Sequence, residues 1–206
     1  MTVVEAVRPD PALMKEAEDI PEPYTREQFA SLAAAYPELR MELTREGKLI
    51  IMPPSGGESS HQSSIVGGRL FAWADQDKAD QDETGLTFDA NGGYNLPMGG
   101  TRAPDASWVR RDRWEALTPQ ERQKFLPLCP DFLVEVLSPT DSLAETRQKM
   151  EEYKENGARL GWLIHPRRKQ VEVYRPGQEV ELLDAPASVS GEDVLPGFVL
   201  NLEGIL

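Results

Sequence analysis

A chain of 206 residues, 39% hydrophobic and 28% charged, has the make-up of one globular domain with its own core. Its single cysteine and two histidines exclude a disulfide framework and a zinc cluster built from Cys and His. A net charge of −13 opposes a phosphate backbone, so any nucleic-acid role must rest on local basic residues or on cations gathered by the carboxylates.

Residues 1–24 are acidic and Pro-rich and read as an extended arm ahead of one domain over 25–206. They lack the basic start and apolar centre of a signal peptide, and no run approaches the ~20 apolar residues of a membrane span. The expected setting is the cytoplasm, with no membrane contact. Thr25 with Gln28 forms a capping-box pattern that opens a helix. Phe29, Leu32 and Ala33 give that helix its apolar face, and Pro37 ends it. Met41–Leu43 and Leu49–Met52 form a hairpin around Arg45-Glu46-Gly47-Lys48. A second helix spans about 59–76, with Ile65, Leu70, Phe71 and Trp73 as its apolar positions. Strands follow at 86–89, 93–96 and 103–109, the last alternating Asp105, Ser107 and Val109 against Ala106 and Trp108. Gly92, Gly93, Gly99 and Gly100 flank the middle strand and read as turn formers. A polar, helical insert covers about 111–125.

Phe132-Leu133-Val134-Glu135-Val136-Leu137 reads as a strand buried on both faces. An ionised carboxylate inside it is costly unless a metal, a base or hydrogen bonds answer it. The next helix covers about 139–156, with two competing starts, Ser138 with Asp141 or Ser142 with Glu145, and Gly157 as C-terminal cap. Strands return at 160–164, 171–174, 179–183 and 198–202.

Asp105 and Glu135 lie on two expected strands that can be neighbours in one sheet, so their carboxylates can converge. Hard oxygen donors at one point suit Mg²⁺ or Mn²⁺. Asp131 is a poorer partner, because four residues of strand place its Cα about 13 Å from that of Glu135. Lys149 borders the inward stripe made by Thr146, Met150 and Tyr153. It is a candidate for stabilising developing charge; on spacing alone the simpler account is a lysine reaching out to water. The basic clusters Arg110-Arg111-Asp112-Arg113 and Arg167-Arg168-Lys169 read most simply as solvated loops.

Ala103-Pro104-Asp105-Ala106-Ser107-Trp108-Val109, followed by Pro130 through Asp141, closely resembles the Uma2 family (DUF820) of restriction-endonuclease-like proteins. Lys149, Tyr153, Gly157, Trp162 and the Val171–Gly177 hairpin continue the match, which covers roughly residues 25–175. The resemblance implies an α/β (α+β) fold of the PD-(D/E)xK superfamily: a mixed β-sheet core flanked by helices, with an additional N-terminal hairpin and C-terminal strands. It implies Mg²⁺ or Mn²⁺ at Asp105 and Glu135. The superfamily's lysine is expected two residues after the second acid, where this chain has Leu137, and Lys149 is the matching replacement on the next helix. Glu42 matches an acidic residue near the family's hairpin and is a candidate accessory ligand, directly or through water. His61 matches a histidine that opens the second helix and is a candidate for phosphate contact or proton transfer, although a plain polar first-turn residue explains it as well. His165 stands where aspartate is more usual and reads as a surface variation.

The expected function is a metal-dependent endonuclease acting on DNA, with a homodimer as one possible assembly. The alternative is a non-catalytic nucleic-acid-binding or assembly module on the same fold, motivated by the acidic charge and by Leu137. A hydrolase for a smaller phosphoester is a third reading; no Gly-rich P-loop supports nucleoside triphosphate hydrolysis.

Overall fold

The computed structural model describes residues 23–79 and 85–206. The arm expected over 1–24 lies outside them, apart from Pro23 and Tyr24. Tyr24 is buried with the first helix. Helix α1 (Arg26–Ala35) opens on the expected capping box: the Gln28 amide donates to Thr25 Oγ1 at 3.2 Å, and the Thr25 amide to Gln28 Oε1 at 2.8 Å. Phe29 and Leu32 pack on Met41 and Leu43 of β1 (Arg40–Leu43), which pairs antiparallel with β2 (Leu49–Met52). Strand alternation therefore turns Glu42 to the face opposite α1.

Helix α2 (Gly57–Ala79) is longer than expected. Its buried positions are Ser59, Val66, Leu70 and Ala74 among the described side chains, while Phe71, read as one of its apolar positions, is exposed. Strands β3 (Gly85–Phe88), β4 (Tyr94–Asn95), β5 (Thr101–Arg102) and β6 (Ala106–Arg110) follow. The strand expected over 103–109 starts only at Ala106, as β6, and an additional short strand, β5, precedes it in the other sheet. Pro104 lies in the link between them and has no N–H to continue a ladder. The insert over 111–125 holds only the short helix α3 (Arg111–Glu115) and a single 3₁₀ turn.

Strand β7 (Phe132–Val136) is buried along its whole length. Helix α4 (Leu143–Glu155) connects it to its parallel neighbour β8 (Leu160–His165). Of the two competing starts for α4, Ser142 is the cap: its side chain accepts from the Glu145 amide, whereas Asp141 accepts from the Ser138 amide one turn earlier. The chain continues through β9 (Gln170–Tyr174), β10 (Glu181–Asp184), β11 (Ser188–Ser190) and β12 (Val199–Asn201).

Two main sheets frame the molecule, and β11 pairs with β12 in a two-stranded third one. The larger is mixed, in the order β10-β9-β8-β7-β6-β3; the smaller is antiparallel, in the order β2-β1-β5-β4. One face of the large sheet presents Phe132, Val134, Val136, Trp162 and Ile164 to α2 and to the segment carrying β11 and β12. The other face presents Leu133 and Leu163 to α4 through Met150 and Tyr153. Glu135 is on that second face by period-two alternation with Leu133. His165 also departs from expectation. It extends β8 by one residue, is only 3% exposed, and places Nε2 3.3 Å from Glu172 Oε1.

Candidate functional site

Strand β6 pairs antiparallel with β7 through Ala106↔Val134 and Ser107↔Leu133. Continuing that register by one step sets Asp105 opposite Glu135. The ladder stops there, and the Asp105 side chain takes over a backbone role: Oδ2 accepts the Val136 amide at 2.9 Å. Asp105 therefore sits at the mouth of the strand pair rather than within a strand. Its other oxygen, Oδ1, lies 3.7 Å from the Arg40 guanidinium.

Three further elements converge on this point. Glu135 reaches out from β7 toward α4, where Oε1 meets Lys149 Nζ at 2.7 Å and the Tyr153 hydroxyl at 3.2 Å. Lys149 also contacts Glu42 Oε1 at 2.8 Å. Glu42 comes from β1 of the small sheet, where Oε1 accepts the Ala103 amide at 3.0 Å and Oε2 accepts from Arg102 at 3.1 Å. Arg102, on β5, forks onto Glu152 Oε2 of α4 through Nε at 2.8 Å and Nη2 at 2.5 Å. The result is a chain of buried charges, Glu152–Arg102–Glu42–Lys149–Glu135, that ties α4 to both sheets.

Asp105, Glu135, Lys149 and Glu42 all line one open cleft of about 1240 Å³. Its walls include residues of the first turns of α2 and α4: Gly57, Glu58 and Ser59 on one side, Ser142, Glu145 and Thr146 on the other. His61 is exposed on α2 and does not line the cleft. Asp131 faces elsewhere, accepting the Arg110 amide and pairing with Arg113 at 3.0 Å. Arg110 pairs with Asp112 and Arg111 with Glu115, and neither basic cluster reaches the cleft.

The electrostatics separate the two carboxylates that share Lys149. Burial raises the Glu42 pKa, but Lys149, Arg102 and the Ala103 amide outweigh it, so Glu42 is held below its ordinary value. Among the described residues Glu135 has Lys149 alone as an ionic partner and faces Asp105 and Glu42, so burial and its acidic neighbours push it up to about 7. Burial also lifts Asp105, despite the Val136 amide, Lys149 and Arg40. Lys149 is buried too, yet Glu135 and Glu42 hold its pKa above the usual lysine value, so it stays charged.

Raised values at Glu135 and Asp105 mark negative charge that the protein leaves partly uncompensated. Among the described residues, no three His, Cys, Asp or Glu side chains gather into a cage for a metal. Two carboxylates facing an open cleft nonetheless fit Mg²⁺ or Mn²⁺, which retain several waters. Arg102 and Glu152 have no counterpart among the candidates read from the sequence. Glu152 had one signal, its place three residues beyond Lys149 on the inward side of α4.

The model of the Uma2 family, described as "Putative restriction endonuclease", matches residues 26–203. Among solved structures, the chain is similar to one described as "a putative nuclease belonging to DUF820 from Anabaena variabilis". The TM-score is 0.67 at 23% identity, over 94% of this chain and 96% of that one. At that identity the likeness speaks for the fold. No curated protein matches the sequence. Motif order, sheet topology and the matched span agree: the chain belongs to the Uma2 family.

Proposed function

We propose that this protein is a metal-dependent endonuclease that hydrolyses phosphodiester bonds in DNA. The observation that carries the reading is the convergence of Asp105 from the β5–β6 link, Glu135 from β7 and Lys149 from α4 on one open cleft. Asp105 and Glu135 would hold Mg²⁺ or Mn²⁺ through carboxylate oxygens. A bound ion supplies a Lewis acid for the phosphate and a water of lowered pKa. Lys149 keeps its charge and is already positioned by two carboxylates, so it can stabilise the negative charge that grows on the phosphoryl oxygens. The Tyr153 hydroxyl orients Glu135 by donating to Oε1, which leaves Oε2 for other partners. The first turns of α2 and α4 add backbone N–H groups suited to an anionic substrate.

The test is plasmid nicking with Mg²⁺ or Mn²⁺ by wild type, Asp105→Ala, Glu135→Ala and Lys149→Ala. Cleavage by wild type that disappears in each variant supports the assignment. Cleavage that survives all three changes rules it out.

One observation favours a second reading, a non-catalytic module on the same fold. Ten carboxylate side chains line the cleft against six cationic ones, a poor surface for a polyanion without added cations. Calorimetry separates the two readings: absence of Mn²⁺ binding at millimolar concentration, together with no cleavage of any nucleic acid, would leave the module.

A further inference from the structure

Glu42 lines the cleft, yet its oxygens are already engaged. Oε1 receives the Lys149 ammonium at 2.8 Å and the Ala103 amide at 3.0 Å, and Oε2 receives Arg102 at 3.1 Å. A metal approaching Oε1 would have to displace a cation or a backbone donor, and at Oε2 it would sit against the Arg102 guanidinium, whose charge repels it. Arg102 is itself fixed by two bonds to Glu152 Oε2. Glu152 lies on the same helix as Lys149, three residues on, so the contacts form a closed loop: from α4 to Arg102, to Glu42, and back to α4 at Lys149. A lysine side chain has a flexible four-carbon stem with many rotamers to lose. With Glu135 as its sole partner, Lys149 would follow one carboxylate. A second carboxylate on a different sheet holds the ammonium between two fixed points.

We propose that Glu42 is a positioning residue for Lys149 and not a metal ligand. It holds the ammonium at the cleft wall beside Glu135, and Arg102, pinned by Glu152, holds Glu42. The inference rests on the reading of the cleft as a phosphodiesterase site and assigns a role within it.

The test is Glu42→Gln, which keeps the shape of the side chain but cannot accept from both Lys149 and Arg102. Three quantities are measured: kcat and KM for plasmid nicking, Mn²⁺ affinity by calorimetry, and the ¹⁵N-detected Nζ resonance of Lys149 in the metal-free protein. The expected result is a kcat lowered about 10- to 100-fold, in line with the cost of misplacing a catalytic group by an ångström. KM and Mn²⁺ affinity should stay close to wild type, and the ammonium protons should exchange faster, broadening the Lys149 signal. A tenfold or greater loss of Mn²⁺ affinity would make Glu42 a ligand and overturn the proposal, on the roughly 10- to 100-fold scale expected when a metal site is disturbed. An unchanged kcat with an unchanged Lys149 resonance would overturn it as well. Glu42→Asp keeps the charge on a shorter stem and serves if the Gln variant does not fold; it should lower kcat with metal affinity intact, and a loss of that affinity would count against the proposal. Should wild type cleave nothing, the functional reading fails by itself. The Lys149 resonance still decides whether Glu42 holds the ammonium.

Discussion

The ammonium of Lys149 lies 2.7 Å from Glu135 Oε1 and 2.8 Å from Glu42 Oε1, so one buried cation serves two buried carboxylates from different sheets. All three side chains are at most 13% exposed. Attraction is little screened at such depth, and desolvation is correspondingly severe.

Replacing Lys149 with Met should therefore be costly although the volume is similar. Removing one partner from a buried ionic cluster strands the others, at a cost of about 3–5 kcal/mol. Urea unfolding of Lys149→Met should show that loss at neutral pH, and the loss should shrink on acidification as Glu135 takes up a proton. A loss that does not change with pH would contradict the pairing.

Glu135 should make the metal-free fold less stable as pH rises. Its folded pKa is raised from 4.5 to about 7, so the native state binds more protons than the unfolded state between those values. Its contribution is fully present below pH 4.5 and is lost as pH climbs through about 7. The span corresponds to on the order of 3 kcal/mol. Glu135→Gln should flatten that limb of the stability curve measured in EDTA. Mn²⁺ competes for the same carboxylate, so its affinity for wild type should rise with pH up to about 7 and then level off.

His165 and Glu172 work in the opposite direction. Burial lowers the His165 pKa, against the opposing pull of Glu172. Burial raises that of Glu172, but bonds from Arg147 and Tyr174 bring it below its ordinary value. Both groups bind protons more readily when unfolded, so stability falls with pH, first below 6.5 for His165 and then below 4.5 for Glu172. His165→Asn should remove the first of these losses while the Glu135 limb stays. A thermal-melt series from pH 4 to 8 compares the two variants directly.

Gly100 should not tolerate a side chain. Its φ of +77° disfavours other residues, and a Cβ there would fall 2.3 Å from Glu152 Oε1 and 3.1 Å from the Leu43 carbonyl. Gly100→Ala should cost about 1–3 kcal/mol in chemical denaturation through backbone strain. It should also slow nicking by pushing Glu152 off Arg102. Normal stability together with normal activity would mean that the charge chain does not depend on this contact.

The residues that announce themselves in the sequence are those whose local surroundings are anomalous. Glu135 stands out because the run on either side of it is apolar, and strand alternation then turns it toward the helix that follows. Asp105 is legible from its motif, but its place at the end of the ladder is not, because the switch between sheets at Ala103-Pro104-Asp105 leaves the hydrophobic pattern continuous. Arg102 and Glu152 look like ordinary surface charges. They are 50 residues apart, and only the docking of the small sheet on α4 brings them together. β11 is three residues with an exposed serine at each end, too short for a period to show. His165 misled because strand ends and surface turns share a composition. Its burial comes from β9 pairing one residue further than expected, at Gln170.

The link Ala103-Pro104-Asp105 is where the chain leaves one sheet for the other, with Glu42 and Arg102 on the near side and Glu135 on the far side. The two carboxylates that hold the Lys149 ammonium therefore come from opposite sides of this crossing. A shift of the β1–β2 hairpin would move one of the lysine's two anchors while the other, Glu135, stayed on the large sheet, so the docking of one sheet on the other sets where the ammonium lies.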